Sequence, residues 1–94
     1  MNLLVTTAAK KYIFTNGGKA TAKLKKNGPE DFGRPTVKLG LPKEAELGEY
    51  KEVDIGNDMK LYVHISLLNL DDRYNPKIDV GWKITGRGLV IKGL

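Results

Sequence analysis

Three stretches of this chain alternate apolar and polar residues with a period of two, the spacing that puts successive side chains on opposite faces of a β-strand. In residues 19–25, Ala20, Ala22 and Leu24 face one way, while Lys19, Thr21, Lys23 and Lys25 face the other. In residues 59–65, Met59, Leu61, Val63 and Ile65 share a face, and Lys60, Tyr62, His64 and Ser66 take the opposite one. Ile78, Val80, Trp82 and Ile84 repeat the pattern. Strands with one apolar face must bury it against a second layer. A helix near the N-terminus supplies part of that layer. Thr6 or Thr7 serves as its N-cap, Val5, Ala9, Tyr12 and Ile13 recur at helical spacing, and Asn16-Gly17-Gly18 ends it.

The remaining segments complete the plan. Residues 50–55 and 59–65 flank Gly56-Asn57-Asp58, a tight hairpin connection. Residues 36–39 form a short strand between loops at 27–35 and 40–48, and residues 67–70 form a turn of helix before a polar loop at 71–76. Thr85-Gly86-Arg87-Gly88 turns the chain into a last strand at 89–91. The expected fold class is α+β: a short N-terminal helix followed by about six mostly antiparallel strands, with residues 1–94 forming a single domain.

Composition narrows the function. The chain has no cysteine, which excludes disulfides, Cys-ligated zinc and any thiolate cluster. No apolar run approaches the roughly 20 residues that span a bilayer, and residues 1–7 lack the basic flank and length of a secretory signal. A cytoplasmic protein without membrane contact is expected. The net charge is +5, and it is unevenly placed. Residues 1–47 carry nine Lys/Arg against four Asp/Glu, whereas residues 48–94 carry seven of each. Residues 1–26 hold six lysines and no acid.

Few residues can carry chemistry. His64 is the only histidine and Ser66 the only serine. Two apart on one strand, they would sit about 6–7 Å apart at their Cα atoms, too far for direct activation of a nucleophile. Residues 69–75 offer oxygen ligands but lack the central glycine and terminal glutamate of a calcium loop, and Arg73 sits among them. Gly86-Arg87-Gly88 precedes a strand, where a phosphate cradle needs a helix. No catalytic residue, metal ligand or cofactor is assigned.

Two surfaces remain. Lys10, Lys11, Lys19, Lys23, Lys25 and Lys26 can neutralise phosphates, which makes them a candidate nucleic-acid-binding set. The competing reading is a solubilising face, since only three of the sixteen basic residues are arginine and no aromatics interleave the strand lysines. Leu67, Leu68 and Leu70 are a candidate patch for a protein partner or self-association, with burial in the core as the competing reading.

Several segments together resemble a known family. Val5-Thr6-Thr7-Ala8-Ala9-Lys10-Lys11-Tyr12 is similar to the opening of HesB-like domains, the fold of A-type iron–sulfur carriers, whose helix begins with a Thr-x-x-Ala pattern. Small HesB-like proteins with a paired Cys-Cys or Cys-selenocysteine motif are more similar still. Their opening helix ends in Gly-Gly before a strand, as Asn16-Gly17-Gly18 does here. Pro35-Thr36-Val37-Lys38-Leu39-Gly40-Leu41-Pro42 resembles a segment of that group, and Met59-Lys60-Leu61-Tyr62-Val63 with Ser66-Leu67-Leu68 resembles its strand and short helix. The resemblance implies the HesB-like fold. The family's metal or redox cysteines would fall around residues 26–34 and near the C-terminus, and this sequence has none, so no functional residue transfers. The expectation is a non-enzymatic HesB-like scaffold acting through protein contacts. The alternative is a small basic nucleic-acid-binding domain using the lysines of residues 10–26.

Overall fold

In a computed structural model, which describes residues 2–25, 34–83 and 86–93, two sheets and a helix enclose one hydrophobic core. The chain begins with a two-residue strand, β1 (Leu4–Val5), and then enters α1 (Thr7–Thr15). Seven strands are described rather than about six, because sequence periodicity gives no sign of β1. Val5, expected on the helix stripe, belongs to this strand instead and pairs parallel with Ile78.

Thr6 caps α1, and its position ties the helix to a strand far along the chain. Its hydroxyl accepts the Ala9 N–H at 3.1 Å and donates to Asp79 Oδ1 at 2.9 Å. At the other end, Gly17 adopts a φ of +105° and the Gly18 N–H returns to the Ile13 carbonyl at 2.8 Å. This is the glycine-ended termination that Asn16-Gly17-Gly18 predicts.

The larger sheet has the order β3-β2-β5-β4, built from β2 (Lys19–Lys25), β3 (Arg34–Leu39), β4 (Tyr50–Gly56) and β5 (Met59–His64). β2 pairs antiparallel with β3 and parallel with β5, and β4 with β5 forms the expected hairpin. Asn57 and Asp58 take the left-handed conformation, with φ of 50° and 62°, which a two-residue turn of this twist requires. A 3-10 helix (Glu44–Glu49), in a segment expected to be loop, lies on the way from β3 to β4 at the opposite edge. The smaller sheet has the order β1-β6-β7, with β6 (Lys77–Lys83) and β7 (Gly86–Lys92) antiparallel. Gly86-Arg87-Gly88 therefore lies inside a strand and not in a turn.

Alternation places the core where the sequence predicts it. Ala20 and Ala22 of β2, and Leu61 and Val63 of β5, are buried in one cluster with Ala9 and Ile13 of α1, Leu67, Ile78 and Leu89. α1 therefore covers the alanine face of β2, and Lys19 and Lys23 point away from it.

Asp79 carries a pH dependence. The Val80 N–H and the Thr6 hydroxyl hold its carboxyl below the usual carboxylate range, with Lys92 3.6 Å away adding to the effect. Because its folded pKa is depressed, its contribution is complete above about pH 4 and drains away as pH falls through the folded value. Thr6→Val is expected to shift the urea midpoint downward at neutral pH. It should also flatten the further loss of stability below about pH 4, as read by urea melts at stepwise lower pH.

Candidate functional site

The six sequence-selected lysines do not form one face. Lys10 and Lys11 are exposed on α1, which lies against the inner face of the larger sheet. Lys19 and Lys23 occupy the outer face, where Lys19 sits opposite Lys60 and Lys23 opposite Thr36. Thr21, between them, is buried, and its hydroxyl donates to the Gly40 carbonyl at 2.8 Å. The side chain of Lys25 and all of Lys26 lie outside the described residues. Further across this outer face, Lys60 reaches Asp54 at 3.3 Å and Glu52 at 3.9 Å, so its far half carries acids.

The leucine set also separates. α2 (Ile65–Leu68) begins where β5 ends and turns Leu67 fully into the core. Leu70 packs against that core, whereas Leu68 and Ile65 are exposed. Leu67 is thus a core residue and not part of a contact surface. Ile65, expected on the buried face of β5, joins Leu68 outside, because the strand stops at His64.

That early stop also changes the His64–Ser66 pair. A strand through both residues would keep them apart, but the helical turn brings Ser66 Oγ to 2.7 Å from His64 Nδ1. His64 Nδ1 also accepts the Ser66 N–H at 3.0 Å, which makes His64 the N-cap of α2. Ser66 Oγ in turn accepts the Leu24 N–H at 3.2 Å, so the hydroxyl proton is directed to His64. The Glu49 carboxylate lies 4.0 Å from Nε2, and the Tyr50 ring meets the imidazole edge-on. Nearby Glu46 and Glu49, after burial, push the Tyr50 phenol up. Ser66 is fully engaged in fastening α2 to β2. Ser66→Ala leaves the Leu24 N–H without its acceptor and is expected to cost about 1–2 kcal/mol in chemical denaturation.

The polar loop after α2 closes on itself. Arg73 grips Asp71 with a shortest distance of 2.8 Å, and this ion pair holds the Asp71 carboxyl below its ordinary range.

A surface that sequence reasoning did not select stands beside α1. One trough of about 290 Å³ is lined by Ala8, Lys11, Tyr12, Thr15, Val80 and Arg87. It shares Tyr12 and Arg87 with a second trough of about 220 Å³, to which Val37, Lys38, Leu39 and Lys83 contribute. A third, of about 270 Å³, continues between β3 and β7 and shares Val37, Lys83 and Leu89. No acidic residue lines any of them, and none of Lys11, Lys38, Lys83 and Arg87 is ion-paired among the described residues. Trp82 stands directly opposite Arg87 on the same sheet face, 85% exposed. The available signal was a lone tryptophan next to Lys83 at a glycine-bounded hairpin end. Its alternation with Ile78 and Val80 made it look like a core residue.

Comparison with known proteins gives the fold. The chain is similar to a crystal structure of IscA with the [2Fe-2S] cluster, at a TM-score of 0.60 and 11% sequence identity, covering 97% of this chain and 84% of that one. The architecture is therefore the α+β fold of that structure. No family model matches the sequence, and no curated protein matches it. Iron–sulfur clusters are held chiefly by cysteine thiolates. This sequence contains none, and among the described residues no three His, Asp or Glu side chains gather as a metal site. The donor set does not fit a [2Fe-2S] cluster. Among the described residues, no helix is long and apolar enough to cross a membrane.

Proposed function

We propose that this protein is a non-enzymatic scaffold of the HesB-like fold, without the family's metal or redox cysteines, that works by contact with another protein. The observation carrying this reading is the combination of a carrier-type fold over 97% of the chain with a sequence that has no thiolate to offer. A fold kept without its chemistry leaves its surfaces as the part that acts. The apolar pair Ile65 and Leu68, exposed beside the His64 cap, is the contact surface under this proposal. Leu47, also exposed, lies on the 3-10 helix that leads into Tyr50, the strand partner of His64.

The test is affinity capture with the wild-type chain and with an Ile65→Asp/Leu68→Asp variant, each first checked for native far-UV circular dichroism. A partner held stoichiometrically by the wild type and released by the variant is the expected result. Identical capture profiles from the two proteins would count against this surface.

A further inference from the structure

The residues lining the troughs come from four elements: Lys11 and Tyr12 from α1, Lys38 from β3, Lys83 from β6, and Arg87 from β7, with Trp82 of β6 standing outside the lining opposite Arg87. Chain order brings Lys83 and Arg87 together across one hairpin, but only the fold adds residues 11 and 38 to the same trough system. The grouping has a consistent chemistry. Its charges are all positive, and among the described residues no carboxylate neutralises them. Lys83 leaves β6 on the face opposite Trp82 and lies across β7, with its Cδ 3.5 Å from where a Cβ at Gly88 would sit, which carries its stem over that strand to the trough.

Trp82 adds the second element. Directly opposite partners on antiparallel strands hold their Cβ atoms about 5 Å apart, so the indole and the Arg87 guanidinium stand side by side. An indole at 85% exposure leaves a broad apolar face in water with little packed against it. Tyr12, half-buried at the junction of two troughs, lies further along the same path. Cations that follow a groove, with an open aromatic face among them, are what non-specific single-strand binding needs. Phosphates meet the cations, and a base stacks on the ring.

We propose that this groove binds single-stranded nucleic acid, with Trp82 stacking on a base and Lys11, Lys38, Lys83 and Arg87 meeting the backbone phosphates. An acidic peptide shares the charge but not the geometry. Peptide anchors are side chains sunk in closed, desolvated pockets, whereas these troughs are open and Trp82 stands clear of them as a flat face. Lys38 shares the outer sheet face with Lys19 and Lys23, because it pairs with Thr21 between them, so the internal control is Lys51 on β4, at the far edge of that sheet.

Trp82 is the only tryptophan in the chain, so intrinsic fluorescence reports on it alone. The experiment titrates the full chain with a short oligothymidine, reading both tryptophan quenching and the anisotropy of a labelled strand, at about 50 mM and about 150 mM salt. Quenching should saturate together with anisotropy. With four phosphate contacts on a single strand, affinity should fall about twentyfold between the two salts. Trp82→Ala should weaken binding about tenfold or more while Trp82→Phe restores most of it, and a Lys38→Gln/Arg87→Gln variant should flatten the salt dependence. A Lys51→Gln variant on β4, at the far edge of the larger sheet, should bind like the wild type. No quenching at low salt would overturn the proposal. So would equal weakening by the Lys51→Gln variant, which would place the strand elsewhere. A glutamate-rich peptide that quenches Trp82 as tightly as the oligonucleotide would overturn it in favour of a protein ligand.

Discussion

Leu67→Ala is expected to destabilise the protein by about 3 kcal/mol, while Leu68→Ala, one residue further on, costs less than about 0.5 kcal/mol. The two leucines share a four-residue helix, and sequence gives no reason to rank them. Their difference is set by the exit from β5. His64 leaves the strand, caps the turn through Nδ1, and directs Leu67 inward to complete exclusion from solvent. Removing its side chain leaves a void beneath a segment pinned by the Ser66–Leu24 hydrogen bond, so the site has little freedom to collapse. Leu68 faces water and loses only a partial contact. Urea melts of both variants at neutral pH give the comparison. Near-equal losses would mean that α2 does not seat Leu67 in the core.

Ala22→Leu should cost about 2–3 kcal/mol, although it adds apolar surface to an apolar core. Ala9, Ala20 and Ala22 are all fully excluded from solvent within the cluster that joins α1 to β2. Small side chains on both layers let the helix lie close to the strand. Ala22 also pairs with Val37 on one side and Val63 on the other, so a larger side chain has no lateral escape. The extra atoms must push α1 outward or leave their preferred rotamers. Differential scanning calorimetry would read the effect, and an unchanged or raised melting temperature would show room that this packing denies.

Much of this fold is legible in the sequence because its signals are local. Thr6 and Gly17 mark the ends of α1, the alternation of residues 19–25 gives β2 its bounds, and Asn57 marks the β4–β5 hairpin. The errors share a physical cause: they depend on partners distant in the chain. β1 is two residues long and exists only because Ile78 and Lys77 of β6 pair with it. Residues 59–65 read as one uninterrupted strand, yet the hydrogen-bonding capacity of His64 and Ser66 favours a cap, and the Leu24 N–H completes it.

The candidate sites were less legible than the fold. Proximity in sequence grouped six lysines, and of the four whose side chains are described, Lys10 and Lys11 lie on the helix while Lys19 and Lys23 lie on the outer sheet face. Trp82 and Arg87 face each other across one hairpin, but Lys11 and Lys38 lie more than forty residues earlier and reach them only through the packing of β3 beside β7 and of α1 on β6. The resemblance to HesB-like domains reached the right architecture from short structural motifs, and the similarity to IscA extends over nearly the whole chain. Neither supplies a ligand residue, because the positions that would matter for iron carry no cysteine.

The fold of IscA is present here without a thiolate to hold a [2Fe-2S] cluster. Anaerobic reconstitution with ferrous iron, sulfide and thiol, followed by desalting, iron quantification and visible absorption, tests it most directly. The expected result is iron well below one atom per chain and no cluster absorption. Recovery of about two irons per chain, or of one cluster shared between two chains, with the matching visible spectrum would contradict it.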